Sequence, residues 1–377
     1  MYFRGWATRL RRYLTPGVTA AERTVPSSVE GVPTGTVGFV GETETGPSEP
    51  RLVRGFGEFE ALYGGYGTGA PPAATHLAYA VDGFFRNGGR RCYVARVAAG
   101  TAAAVRGDGT PATGLAALAG VDEVAVVCVP AQATNPDLAA VVTNHCETAG
   151  DRFAVLAAPN EDPAATTAPL RSRDAALYVP WLDVATPDGG GTVTVPPVGH
   201  VAGVYARTDA ERGVHKAPAN EQVRGIVGLA ADIDDGTGGL LTTRGVNPVR
   251  SFPDRGVRVW GARTLAEDPT WRYVPVRRLA LYFEESMTAW LRWTETEPND
   301  ERTRERVASG LSNFLALAWR DGALAGETPE RAFFVRCDRS TTTAADVAAG
   351  RLVAEVGFAP TRPAEFVALR LVAETGG

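Results

Sequence analysis

Residues 121–159 constrain the fold of this chain more than any other stretch. Val124–Val129 is an unbroken apolar run, as expected for a strand buried on both faces. Asp137–Glu147 then places Leu138, Val141, Val142 and Cys146 on one stripe at helical spacing. Phe153–Ala158 is a second apolar run of strand length. Strand, helix and strand with short connections make a βαβ unit, which implies a parallel sheet. The middle of the chain is therefore predicted to be α/β.

The flanking segments extend this pattern. Thr36–Val40 reads as a strand. Thr75 can cap a helix carrying Leu77, Val81, Phe84 and Phe85, which Gly88-Gly89 stops, and Arg91–Val97 alternates as a strand. Ala176–Val184 is expected to be another strand. Glu221–Ala231, with Val223, Ile226, Val227 and Ala230 in phase, is expected to be a helix. Further on, Val276, Leu279, Phe283, Met287, Trp290 and Leu291 repeat at helical spacing until Pro298. Asn299 is expected to cap a second helix with Asp300 and Glu301 in its first turn. Its stripe is Val307, Leu311, Phe314, Leu315 and Ala318, and Gly322 ends it. Strands at Ala332–Cys337, Leu352–Phe358 and Glu365–Val372 follow. In the last, Val367, Leu369 and Leu371 alternate with Phe366, Ala368 and Arg370. This C-terminal part reads as α+β. The first 35 residues read as an extended arm, punctuated by Thr15-Pro16-Gly17, Pro26 and Pro33, with Val18–Val25 extended in character.

Composition excludes several functions. The net charge of −5 over 377 residues gives no basic footprint for nucleic acid. Lys216 is the only lysine, and its surroundings fit neither a P-loop nor a Schiff base. Cys92, Cys128, Cys146 and Cys337 form no C-x-x-C pair, so buried free thiols in a reducing compartment are expected. No apolar run is long enough to cross a membrane. Met1–Leu14 carries arginines without the apolar stretch of a secretory signal, so a soluble protein made in the cytoplasm is expected.

Catalytic constellations fail on context. Gly65–Ala70 has the loose spacing of a dinucleotide loop, but Phe59–Tyr63 ahead of it is helical in character and Pro71-Pro72 follows. Asp232–Gly236 starts like a calcium loop, yet Thr237 and Thr243 stand where glycine and glutamate are needed. Glu284 and Glu285 are adjacent on a helix and point apart. His76, His145, His200 and His215 are scattered, with no zinc spacing. No catalytic residue, cofactor site or metal site is expected.

A series of segments resembles the phage tail sheath family, including the sheaths of R-type bacteriocins and extracellular contractile injection systems. Near the N-terminus these are Tyr13–Val18, Phe39-Val40-Gly41, Phe56–Phe59, Tyr63-Gly64-Gly65, Phe84–Gly89 and Arg91–Val97. Gly245–Arg250, Arg258–Leu265, Trp271–Leu279, Glu297–Asp300, Gly322–Gly326, Ala332–Asp338, Ala359-Pro360 and Pro363–Val367 follow. Residues 100–120 and 185–200 match poorly and read as variable loops.

The resemblance implies a structural subunit that stacks in six-fold rings around an inner tube protein and contracts without a nucleotide. The partners implied are other copies of the chain, the tube, and baseplate and cap proteins, with no nucleic acid and no insertion into a membrane. It divides the chain into an N-terminal arm (1–35), an outer α/β domain (36–250), an inner tube-facing α+β domain (251–363) and a C-terminal arm (364–377). The arms would add strands to neighbouring subunits through Val18, Ala20, Glu22, Thr24, Val25, Phe366, Val367, Leu369, Leu371 and Val372. Asp300, Glu301, Arg302, Arg304, Glu305 and Arg306 are the candidates to face the tube, with a solvated helix face as the alternative. A baseplate or cap component of the same machine, or an α/β hydrolase or nucleotide-binding enzyme, are the competing readings.

Overall fold

The computed structural model describes residues 28–66, 75–361 and 367–376. The chain begins with β1 (Val37–Glu42), β2 (Arg51–Val53), α1 (Phe56–Tyr63), α2 (Thr75–Arg86) and β3 (Cys92–Val97). Two short helices, α3 (Ala102–Arg106) and α4 (Gly114–Leu118), lead to β4 (Val126–Cys128), α5 (Asp137–Ala149) and β5 (Phe153–Ala157). Next come β6 (Ala175–Val179), β7 (Leu182–Ala185), β8 (Thr192–Val195) and α6 (Val198–Arg212). This half closes with β9 (Glu221–Gln222), β10 (Gly228–Leu229), α7 (Asp235–Thr243), β11 (Val246–Phe252) and β12 (Gly256–Val259). The C-terminal half comprises α8 (Val274–Leu291), α9 (Glu301–Arg320), α10 (Pro329–Ala332), β13 (Phe333–Arg336), α11 (Ala344–Ala348), β14 (Arg351–Phe358) and β15 (Val367–Glu374).

Nine strands form one mixed sheet in the order β2-β3-β1-β4-β5-β6-β11-β12-β9. The six from β3 to β11 run parallel, including the β4–α5–β5 unit read from sequence. Alternation along each strand feeds two separate cores. Val126, Cys128, Phe153 and Val155 join α2 and α6 on one face. Val127, Val129, Ala154 and Leu156 join α3, α4 and α5 on the other. Burial on both faces explains why these strands are continuous apolar runs.

Three expectations about individual elements are corrected. Glu221–Ala231 is not a helix but the extended segment holding β9 and β10. Gly225 there has φ +76°, and Asn87 pins the backbone by accepting from Arg224 N and donating to Arg224 O. Val223 is buried and Ile226 packs against the core, but Val227 is 63% exposed, so the apparent stripe does not share one face. Ala176–Val184 is not one strand. It ends at Val179 ahead of Pro180, which lacks a ladder N–H, and β7 belongs to a separate β10-β7-β8 sheet. Residues 198–200, read as the end of a variable loop, instead open α6. The division expected at 250/251 falls inside β11, and the β11–β12 hairpin keeps both sides in one sheet.

A third core gathers α8, α9 and the antiparallel β13-β14-β15 sheet. Phe283 of α8 meets Phe358 of β14 edge-on at 5.0 Å. This region abuts the N-terminal ends of the parallel strands. There Arg277 reaches Asp174, just ahead of β6, at 2.5 Å. Arg278 grips both carboxylate oxygens of Asp209 on α6 at 2.9 and 2.6 Å and donates to Thr34 O.

Candidate assembly surfaces

Of the interface segments expected from sequence, the one that the structure describes best is β15. It pairs antiparallel with β14 through eight residue pairs, from Arg351↔Glu374 to Phe358↔Val367. Val367, Leu369 and Leu371 face the core, while Ala368, Arg370 and Val372 face out. The alternation read from sequence thus sets the face. Beyond the strand, Thr294 Oγ1 donates to Glu374 O at 2.8 Å and Thr375 N donates to Gly350 O at 2.8 Å. The strand is therefore seated within its own subunit. β15 and β13 are the two edges of this sheet, and an edge strand offers its outer N–H and C=O groups to another chain. Phe366, and the N-terminal candidates Val18, Ala20, Glu22, Thr24 and Val25, lie outside the described residues, as do Gly67–Ala70 of the dinucleotide-like stretch.

The charged start of α9 divides in two. Asp300, not Asn299, is the N-cap, accepting from Thr303 N at 2.8 Å; its carboxyl is held below the ordinary range by the Thr303 N–H it accepts. Arg304 turns inward, contrary to a tube-facing role, and its Nη1 donates to the Asn299 carbonyl and side chain. Glu301, Arg302, Glu305 and Arg306 are exposed. Arg306 stacks over Trp293 at 4.5 Å, and Glu301 meets Arg339 at 3.6 Å.

Sequence reading missed the hairpin tip of β11–β12. Phe252 and Trp260 lie 4.6 Å apart, with the Arg255 guanidinium 4.6 Å from one ring and 5.5 Å from the other. Its signal was present, since aromatic and arginine residues concentrate at binding hot spots, but only the hairpin brings 252, 255 and 260 together.

The titratable groups are arranged for packing. All four cysteines are free and buried, and burial drives the Cys337 thiol up to about 12. Burial lowers His200 and His145 to about 4. Asp234 of the calcium-like stretch caps α7, accepting from Thr237 N. Among the described residues no group of three or more His, Cys, Asp or Glu could hold a metal. A cleft of about 690 Å³ lies between Val32–Thr36, α6 and α8. Its charged lining residues are Arg90, Arg91, Asp209, Arg212 and Asp321, with His215 and Tyr282 beside them.

Comparison with known proteins places these features. Residues 99–265 match the phage tail sheath protein central domain, and residues 266–374 match the phage tail sheath C-terminal domain. A prophage major tail sheath protein of Pseudomonas aeruginosa is 26% identical over 220 residues, covering 56% of this chain and 55% of that protein. The tail sheath protein of Escherichia phage P2 is 25% identical over 202 residues, covering 52% and 49%. The matches thus span about half the length of these curated relatives. The sheath of an extracellular contractile injection system, PVC, in its contracted state superposes with a TM-score of 0.75 at 30% identity, covering 95% of this chain and 97% of that one. The contracted helical sheath of the anti-feeding prophage gives 0.76 at 30% identity, covering 94% and 98%. Two sheath domains in sequence, and the same fold along nearly the whole chain, place this chain in the phage tail sheath family.

Proposed function

We propose that this chain is the sheath subunit of a contractile injection particle. It would stack in rings around an inner tube and shorten to drive that tube through a target envelope. The observation that carries this reading is the end-to-end likeness to a sheath in its contracted state, over 95% of this chain. In this reading the nine-stranded body lies outside and the α8–α9 region faces the tube, through Glu301, Arg302, Glu305 and Arg306. The Val18–Val25 segment and β15 carry the strand exchange, because added strands gain main-chain hydrogen bonds at an open edge. A contact that repeats without closing builds a helical filament. Partners are further copies, the tube, baseplate and cap, and the product is a tail-like particle assembled in the bacterial cytoplasm.

A chain in the anti-feeding prophage baseplate is also similar, with a TM-score of 0.75 at 28% identity, which supports a baseplate component as the second reading. Electron microscopy of the protein co-expressed with its tube separates the two. Long striated sheaths are expected; monodisperse particles or single rings with tube present would overturn the sheath assignment.

A further inference from the structure

We infer that an arginine cleft at the N-terminal end of the parallel strands docks carboxylates of a second copy of this chain, an inference that rests on the sheath reading. The cleft holds about 430 Å³ between the segment entering β6, the turn before β11 and residues 263–272. Arg171, Arg244, Arg263 and Arg272 line it, with Glu267 the one acid among the described lining residues. Glu267 is engaged by Arg171 at 3.2 Å. Arg244 is spent on structure, donating to Ala164 O and Thr166 O at 2.8 and 3.1 Å. Among the described residues, the Arg263 and Arg272 guanidinium groups have no hydrogen-bond or ion-pair partner; Arg263 lies 5.9 Å from the Tyr273 ring. The cleft therefore carries positive charge that the subunit does not neutralise.

Its walls are fixed before any partner arrives. Ser172 N donates to Leu265 O, Leu265 N to Ala175 O, and Thr264 N to Arg272 O, at 3.1, 2.9 and 3.0 Å. The backbone that carries the two unpartnered guanidinium groups is thus fixed, and such groups favour carboxylates, whose two oxygens match the fork of donors.

The occupant follows from the opposite end of the same strands. β1 runs out to Glu44 and Glu49, and β5 to Glu161 and Asp162. Asp234 and Asp235 open α7 beside Arg250, where β11 has passed the last β6 pairing at Pro248↔Val179. All six acids are exposed. Glu49 is met by Arg51 at 3.6 Å and Asp235 by Arg250 at 2.8 Å. Among the described residues this leaves Glu44, Glu161, Asp162 and Asp234 as the acids without an ion pair where the parallel strands end, opposite the cationic cleft where they begin. Copies with net charge −5 repel one another except where unlike patches meet. The acidic rim of one copy against the arginine cleft of the next is such a match. It is a head-to-tail contact, the type that propagates rather than closes.

Charge reversal tests this in the full-length chain assembled on its tube. The pair Arg263→Glu/Arg272→Glu is expected to raise the concentration needed for sheath assembly about ten-fold, and so is Glu44→Arg/Glu161→Arg; charged interface contacts have effects of this order. The four changes combined in one chain should restore assembly to within about two-fold of the native level. Arg263→Gln/Arg272→Gln removes the charge with little change of shape. It provides the same readout, about three-fold, should the glutamates prevent folding. Sedimentation and negative-stain microscopy give the threshold, and thermal unfolding of unassembled protein reports the fold. Native assembly by both arginine variants overturns the inference and leaves the sheath reading standing. Failure of the combined variant to recover overturns it too, because the cleft then serves another partner. A native chain that forms no sheath removes both.

Discussion

Arg277 and Arg278 are neighbours on α8, yet each is bound to a different part of the parallel-sheet body. Arg277 and Asp174 are almost fully enclosed, with 4% and 2% of their side chains exposed. Removing one partner of such a pair strands the other charge in a poorly solvated place. Asp174→Asn or Arg277→Ala should therefore cost about 3–5 kcal/mol, read by urea unfolding. A surface-level loss below about 1 kcal/mol would mean that the junction contributes little. The same helix carries Glu285 toward the body, beside a small crevice that also includes Ala125 and Asp151. Burial, and then the nearby Asp151 and Asp122, raise its carboxyl from 4.5 to about 7, while Arg152 opposes them. A carboxyl whose folded pKa is raised weakens the fold once it ionises. The penalty is absent below about pH 4.5, grows through the window up to about 7, and is complete above it. Glu285→Gln should accordingly melt like the native protein near pH 4.5 and at a higher temperature at pH 8. Equal melting curves at pH 8 would show that the native carboxylate finds compensation in the folded state.

The pairing of α2 with α6 shows how an element can be essential and still hard to read. Gly199 and Gly203 lie where the two helices touch. A Cβ at Gly199 would come 2.0 Å from Ala80 O, and one at Gly203 would come 2.5 Å from Phe84 O. Alanine in a helix interior is normally favoured over glycine by about 1 kcal/mol. Here backbone overlap outweighs that gain, so Gly199→Ala and Gly203→Ala should each destabilise, by about 1–3 kcal/mol as overpacked cores do; a higher melting temperature for either would refute the close approach. These glycines, with Pro196-Pro197 ahead and burial from Val198 to Thr208 on every side, leave α6 without the one-sided stripe that marks a surface helix. α5, α8 and α9 were legible because each keeps a polar face. Glu221–Ala231 misled for the converse reason: its apolar residues fell in helical phase, but Gly225 and the Asn87 clamp hold it extended. For the assembly surfaces, alternation made β15 legible as a strand with one apolar face. The junction arginines and the arginine cleft were not legible, since isolated arginines read as solvated surface until the fold brings them to partners far along the chain, as with Arg277 and Asp174, 103 positions apart, and Arg278 and Asp209, 69 apart.

For the whole molecule, the proposed sheath allows two arrangements: each subunit keeps its own β15, or β15 is exchanged with a neighbour. In the single chain β15 closes the third core with Val367, Leu369 and Leu371. Deleting residues 364–377 would therefore remove core as well as arm, and a loss of assembly could reflect unfolding alone. A cross-strand cysteine pair separates the two. Val353 and Val372 are register partners on β14 and β15, and directly opposed positions bring their Cβ atoms to about 4.5–5.5 Å, close enough to bridge. The four native thiols are buried, so oxidation should act on the introduced pair. In Val353→Cys/Val372→Cys protein oxidised before assembly, β15 is tied to its own β14. If strand exchange builds the sheath, this protein should unfold cooperatively like the native chain yet form no long sheaths until it is reduced. Oxidised after assembly, the same variant should run as a ladder of covalent multimers on a denaturing gel, because β15 of one subunit then lies on β14 of the next. A single monomer band from fully assembled, fully oxidised sheaths would show that each subunit keeps its own strand. The repeating contact would then have to lie elsewhere, with the other edge of the sheet at β13 and the arginine cleft as the surfaces left to carry it.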